Sequence, residues 1–189
     1  MSAPRILSSL IRQTPRRVAV PNANTLSTAR VSCLPQRYLN TDTAPVLYSA
    51  HATVVGARNG HIKGSEGLDV KLSMPTALCG EGGYGKTNPE ELFAACYGSC
   101  FQSAMNLSAK QLGVTMPIDP RDSVIETTLH MVGDLSKFDL GVRIDMLIKV
   151  KGVKKEDLDK IIERTRETCP YSRATRGNVT TNIKVEEMA

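Results

Sequence analysis

Between Leu92 and Ala109 the chain runs for 18 residues without a charged side chain, directly behind Thr87-Asn88-Pro89-Glu90-Glu91. That pentapeptide is a helix start. Asn88 can cap, Pro89 suits the first helical position, and Glu91 can reach back to the cap. A helix is expected from Pro89 to about Leu112, with Gly113 as its stop. Leu92, Phe93, Ala94, Ala95, Cys96, Cys100, Phe101, Ala104, Met105 and Leu107 surround it on nearly all sides, which places it at the centre of a domain. Ser99, Gln102, Ser103, Asn106 and Ser108 interrupt the run, so it suits a helix buried in protein and not a stable membrane span.

The flanking segments alternate in the manner of strands. Residues 46 to 58 and 61 to 72 are β-rich and flank Asn59-Gly60, a dipeptide suited to the positive φ angles of a tight hairpin. Val124 to Val132 and Val142 to Val150 alternate around a Gly133 to Gly141 turn region. Leu158, Ile161, Ile162 and Thr165 mark one face of a second helix whose next stripe position is Cys169, and Pro170 ends it. Val179 to Val185 reads as a last strand. The order ββ, helix, ββ, helix, β predicts an α+β fold with antiparallel sheets around a buried central helix.

Charge divides the chain in two. Residues 1 to 45 hold six Arg, no Lys and only Asp42, a net of +5, which leaves 18 basic and 18 acidic residues for the remainder of the 189-residue chain. The sequence pI near 9.0 thus belongs to the N-terminal extension, and the domain lacks the basic surplus and aromatic runs of a nucleic-acid binder. Residues 1 to 37 contain no acid. At about 100° per residue, Arg5, Arg12 and Arg16 share one helical face while Ile6, Leu7, Leu10 and Ile11 cluster opposite, as in an organelle transit peptide. Residues 1–44 are read as a mitochondrial transit peptide or disordered extension, with Arg37-Tyr38 resembling a processing site, and 45–189 as the folded domain. The expected location is the mitochondrial matrix.

Cys33 lies in the extension. In a reducing compartment Cys79, Cys96, Cys100 and Cys169 are resting thiols. Cys96 and Cys100 are spaced i, i+4, a spacing that can seat two metal ligands. A structural zinc site wants four, though, and His51, His61 and His130 offer no matching spacing, so no metal is expected. Buried cysteines also serve as small hydrophobes, which suffices for Cys79 and for Cys96. Cys169-Pro170-Tyr171-Ser172 has the form of a monothiol redox motif of the glutaredoxin type. There the thiol opens a helix, whereas here the periodic segment precedes Cys169.

Thr87 through Ala95, Tyr97 through Phe101, Cys169-Pro170-Tyr171-Ser172 and Ala174-Thr175-Arg176-Gly177-Asn178 together resemble the organic hydroperoxide resistance (Ohr) branch of the OsmC/Ohr family. Gly56-Ala57-Arg58-Asn59-Gly60 and Leu68-Asp69-Val70-Lys71-Leu72 look like its N-terminal signature. The resemblance spans roughly Tyr48 to Met188. It departs at Cys96, where the family usually has Gly or Ala; a side disulfide and an inert packing role both remain open for this thiol.

The resemblance implies an OsmC-like fold, an intertwined homodimer and a thiol peroxidase acting on organic and fatty-acid hydroperoxides. Cys100 would be the peroxidatic cysteine and Cys169 the resolving one, with Arg58 and Glu90 organising the site. No bound cofactor is implied; a dithiol such as a lipoyl group, carried by lipoylated proteins, is the expected reductant. Phe93, Phe101 and Met105 are candidates to receive an alkyl chain and equally suit the core.

The implied chemistry needs a thiolate, whereas an ordinary Cys, with pKa ≈ 8.5, is only a few per cent ionised at pH 7. Cys100 lies about three turns into its helix, too far for the helix end to help, and burial raises a thiol pKa. A nearby permanent cation is the plausible agent, and a drop of ~2 units corresponds to about 2.7 kcal/mol. Arg58 offers one, although its place beside Asn59-Gly60 would by itself suggest a solvated hairpin residue. Glu90 lies roughly 15 Å along the axis from Cys100 at 1.5 Å per residue, so it can act only through another group or across subunits. Two other readings stand beside the peroxidase: a glutaredoxin-like exchanger using Cys169 alone, and a noncatalytic redox-sensing or lipid-binding module.

Overall fold

The computed structural model describes residues 39–188. The expected import helix and Cys33 lie outside the described residues. Of the described residues, 39–47 fall in a different unit from 48–188; in the former, the Asn40 carbonyl accepts from the Ala44 N–H at 3.0 Å.

Three short strands, β1 (Ala52–Val55), β2 (His61–Gly64) and β3 (Asp69–Lys71), form an antiparallel meander. The expected hairpin is there, with Val55 opposite His61, but its turn is not the two-residue type. Gly56 and Ala57 carry the positive φ angles, 79° and 50°, and Ala57–Asn59 make a single 3-10 turn. Asn59 instead accepts a hydrogen bond from the Met74 N–H at 2.8 Å. Gly60 is required because a Cβ there would lie 1.7 Å from the Val55 carbonyl oxygen. The second β-rich stretch also breaks at Gly64, where a further turn separates β2 from β3.

The central helix, α1 (Pro89–Gln111), starts and stops as expected: Asn88 Oδ1 accepts from the Glu91 N–H, and Leu112 is the C-cap. The Glu91 carboxylate accepts from the Thr87 hydroxyl at 2.5 Å, one residue earlier than the cap it was expected to reach. In β4 (Ser123–Asp134) and β5 (Asp139–Val150) the two strands read from alternation are longer than expected and pair antiparallel. Then α2 (Lys155–Thr168) and α3 (Pro170–Thr175) lead into β6 (Thr180–Glu187). This last strand pairs parallel with β5, so the second sheet is mixed and not purely antiparallel. The reason is the connection: α2 and α3 carry the chain back across the sheet before β6 begins, as a parallel pair requires.

The core forms where three stripes meet. Tyr97, Phe101, Met105 and Ala109 recur every four residues along α1, and they pack with Ile144, Met146, Ile148 and Val150 of β5 and with Leu158, Ile161 and Ile162 of α2. Cys169 is a full member of this cluster, with no exposed surface. The opposite side of α1 is less covered than its composition suggested: Ala95, Cys96, Ser99, Ser103 and Leu107 are exposed. Ala94, Ala95, Gly98 and Ser99 line a cavity of 400 Å³ with Ile125 and Thr127 of β4. Small side chains let α1 approach β4 so closely that a Cβ on Gly98 would stand 2.6 Å from Thr127 Oγ1. No described helix is long and apolar enough to cross a membrane.

Gly60→Ala drives a methyl into backbone, so it is expected to cost about 2–4 kcal/mol in urea unfolding. Gly141, whose nearest neighbour would be a side-chain carbon at 3.8 Å, serves as control: Gly141→Ala should stay within about 0.5 kcal/mol. A Gly60→Ala loss also within about 0.5 kcal/mol would show that the turn yields without cost.

Candidate active site

Two of the four described cysteines meet. Cys100 Sγ, on the third turn of α1, lies 3.7 Å from Cys169 Sγ, at the junction of α2 and α3. Pro170 ends α2 as expected, yet it also occupies the first position of α3. Cys169 therefore does precede a helix, which removes one of the contrasts drawn with the glutaredoxin arrangement. All four described cysteines are free thiols; Cys79 and Cys96 are exposed, Cys100 half-buried and Cys169 buried.

Aromatic packing fixes the junction. Tyr97 is fully buried and stacks on Tyr171 with ring centres 6.1 Å apart, while Phe93 meets Tyr171 edge-on at 6.5 Å. The Tyr97 hydroxyl donates to Ser172 Oγ at 3.1 Å and receives from Thr175 Oγ1 at 3.4 Å. These contacts tie α3 to α1 on both sides of the thiol pair. Tyr97 and Tyr171 were not singled out from the sequence. The signal was there, since one lies three residues before Cys100 on the same helix and the other within the Cys-Pro-Tyr-Ser quartet.

Burial pushes the Cys100 thiol above its ordinary value; the Tyr171 backbone N–H acts against that, and the Cys169 thiol adds to the rise. Among the described residues no cation contributes to this shift. Tyr171 is likewise raised, by burial first and then by the neighbouring thiols.

Arg58 and Glu90 form the second pair. The turn between β1 and β2 presents Arg58, whose guanidinium grips the Glu90 carboxylate with two bonds, Nη1 to Oε2 at 2.9 Å and Nη2 to Oε1 at 2.6 Å. Glu90 sits in the first turn of α1, where a negative charge is favoured. Its carboxyl is held below the usual range chiefly by the Arg58 hydrogen bonds, with burial opposing. The structure thus joins Arg58 to Glu90, and Cys100 to Cys169, as two separate pairs.

A groove of 490 Å³ is lined by Arg58, Phe93, Cys96 and Tyr171 together with Val54, Ile62, Leu72 and Leu92; neither Cys100 nor Cys169 is part of its lining. Of the candidate chain-binding residues, only Phe93 lines it. Phe101 and Met105 have no exposed surface and belong to the core instead, because they point along the α1 stripe that faces β5 and α2. Cys96 opens into the groove. Side chains at i and i+4 of a helix hold their Cβ atoms about 5–6 Å apart, beyond the ~3.8 Å of a disulfide. A Cys96–Cys100 bridge would therefore require α1 to unwind locally. Among the described residues no group of three or more His, Cys, Asp or Glu converges on a metal-sized site.

The family model described as OsmC-like protein matches residues 80–184, from the loop before α1 into β6. The chain belongs to this OsmC/Ohr family, in its organic hydroperoxide resistance branch. It is 40% identical over 135 residues to the organic hydroperoxide resistance protein of Xanthomonas axonopodis pv. citri (strain 306), covering 71% of this chain and 91% of that one. With the organic hydroperoxide resistance protein OhrB of Bacillus subtilis (strain 168) it shares 36% identity over 141 residues, 74% of this chain and 97% of that one. The crystal structure of the Bacillus subtilis OhrB superposes with a TM-score of 0.65 at 34% identity, covering 75% of this chain and all of that one. An organic hydroperoxide resistance protein from Elizabethkingia anophelis does so with a TM-score of 0.67 at 32% identity, over 77% of this chain and all of that one.

The Arg58–Glu90 pair has a signature in acid. Because the folded-state pKa of Glu90 is depressed, its contribution to stability is present above the ordinary glutamate range and is lost as pH falls through the lowered value. Glu90→Gln should therefore lower Tm at pH 7, and the gap to the parent protein should shrink steadily toward pH 3. A gap that stays constant across this range would mean the pair does not stabilise the fold.

Proposed function

We propose that this protein is a cysteine-based peroxidase that reduces organic hydroperoxides to alcohols. The observation that carries the reading is the 3.7 Å approach of Cys100 Sγ to Cys169 Sγ, with Tyr171, whose backbone N–H bonds the Cys100 sulfur, also lining an apolar groove; the names of its relatives give the same direction. The Cys100 thiolate attacks one peroxide oxygen, the O–O bond breaks, and the departing alkoxide takes a proton to leave as an alcohol. Cys100 becomes a sulfenic acid. The Cys169 thiol then condenses with it, forming the S–S bond and releasing water. An external dithiol, such as dihydrolipoamide on a lipoylated protein, restores both thiols by two exchanges and leaves as a cyclic disulfide.

The roles of the remaining residues follow from their positions. Burial favours the protonated form of Cys100, so a thiolate needs a cation nearby, and Arg58 lines the groove that Tyr171 shares. In the proposed cycle Glu90 aims Arg58, which supports the thiolate and donates to the peroxide oxygen as charge develops there. The aliphatic and aromatic lining favours an alkyl or fatty-acid hydroperoxide over hydrogen peroxide, with Phe93 against the chain. Complete burial of Cys169 opposes a glutaredoxin-like role, which needs that thiol open to its partner.

The exposed small-residue side of α1 supports a homodimer, since a second copy packed there would cover the 400 Å³ cavity along it. A mitochondrial matrix location, directed by residues 1–44, belongs to the same proposal and fits a lipoyl reductant.

Reduced protein mixed with cumene hydroperoxide provides the test, with peroxide loss followed alongside free thiols. Cys100→Ser should abolish consumption, whereas Cys169→Ser should allow one turnover and then over-oxidise at Cys100. Turnover that survives loss of Cys100 would sink the reading. A redox sensor would not turn over with dihydrolipoamide. Arg58→Ala should slow the reaction by roughly 10²-fold, the scale for one removed oxyanion donor, and move its pH profile alkaline. An unchanged rate and profile would remove Arg58 from the mechanism.

A further inference from the structure

A second cavity, of 180 Å³, lies on another part of the domain and is lined by Tyr97, Arg166, Ser172, Thr175, Arg176 and neighbouring residues of the β6 segment. Two arginines, both exposed, line it, and neither Arg166 nor Arg176 forms an ion pair with a carboxylate among the described residues. Each is instead tethered by one hydrogen bond to a backbone carbonyl. Arg166 Nη2 donates to the Thr181 carbonyl at 3.1 Å, and Arg176 Nη2 donates to the Arg166 carbonyl at 2.7 Å. A guanidinium carries five N–H donors, so most of each fork stays uncommitted.

This combination has a direction. Two like charges lining one small concavity repel, and an anion between them relieves that repulsion. The guanidinium fork matches the paired oxygens of a carboxylate or phosphate. Because both forks are already held by carbonyls, little side-chain freedom is left to lose on binding. The hydroxyls of Ser172 and Thr175, already bonded to Tyr97 at 3.1 and 3.4 Å, add polar surface to the same wall. The volume is below the about 300–1,000 Å³ of pockets that enclose drug-sized molecules, which favours a compact ion over a nucleotide.

We propose that this pocket binds a compact oxyanion, a phosphate or a carboxylate group, gripped between Arg166 and Arg176. Its walls come from the last turn of α2, from α3 and from the segment leading into β6, the chain on both sides of Cys169. A bound oxyanion ties these three pieces together. Disulfide formation must bring sulfurs now 3.7 Å apart to about 2.05 Å, so occupancy of the pocket stiffens the part of the chain that this step has to move. Binding itself does not depend on the peroxidase reading.

Calorimetric titration of the full chain at fixed ionic strength tests the proposal, with inorganic phosphate, acetate and octanoate as probes and chloride as the control. The expected result is one saturable site per chain for an oxyanion and none for chloride. Slower amide exchange over residues 169–178 should accompany saturation. Phosphate bound more tightly than either carboxylate identifies a free inorganic ion; octanoate bound far more tightly than acetate identifies the head of an aliphatic acid. Arg166→Gln, an exposed change, should weaken binding by about tenfold or more, since the charge and the fork are both lost. Arg166→Lys keeps the charge without the fork and should fall between. Absence of saturation, equal binding of chloride, or unchanged affinity in Arg166→Gln protein that melts like the parent would overturn it.

Discussion

Cys169 is at once a thiol and a core side chain, and the rest of the site depends on that double role. It packs among Phe101, Ile144, Ile161 and their neighbours with no exposed surface, so its position is set by the same burial that holds the domain together. The stripe of Tyr97, Phe101 and Met105 fixes the rotation of α1 about its axis. Once that stripe faces β5 and α2, Cys100 has no choice but to approach the α2–α3 junction. The 3.7 Å separation of the sulfurs is therefore a consequence of core packing and not of a flexible loop closing over a site.

The charged pair obeys a different logic. Arg58 rides on a turn where Ala57 takes a positive φ of 50°, and it reaches the first turn of α1 to pair with Glu90. A bidentate pair at 2.6 and 2.9 Å commits the half-exposed guanidinium to a carboxylate and not to the sulfur. Burial then raises the Cys100 thiol.

Much of this was legible before any coordinates. The capping pentapeptide, the uncharged run behind it and the Leu158, Ile161, Ile162 stripe identified both long helices, because 3.6-residue periodicity and cap chemistry are local properties. Alternation found β4 and β5 for the same reason. The β1–β2 turn type was misjudged because Asn59-Gly60 carries a strong turn preference, yet Asn59 is used to hold Met74 while Gly56 and Ala57 bend the chain. Nothing local told Phe101 and Met105 from groove residues; both are apolar, and only the facing of α1 separates them from Phe93.

The sequence by itself determined which segments become helix and strand and where α1 begins and ends, and through resemblance it drew attention to Cys100, Cys169, Arg58 and Glu90. Those are matters of short-range preference and of motif. Tertiary structure alone decided that β6 runs parallel to β5, that Tyr97 and Tyr171 brace the thiol pair, and that Arg58 rests on Glu90 with Cys100 pushed toward its protonated form. These depend on side chains far apart in the chain meeting in a dense, poorly solvated interior, where the strength of every charge is set by its surroundings.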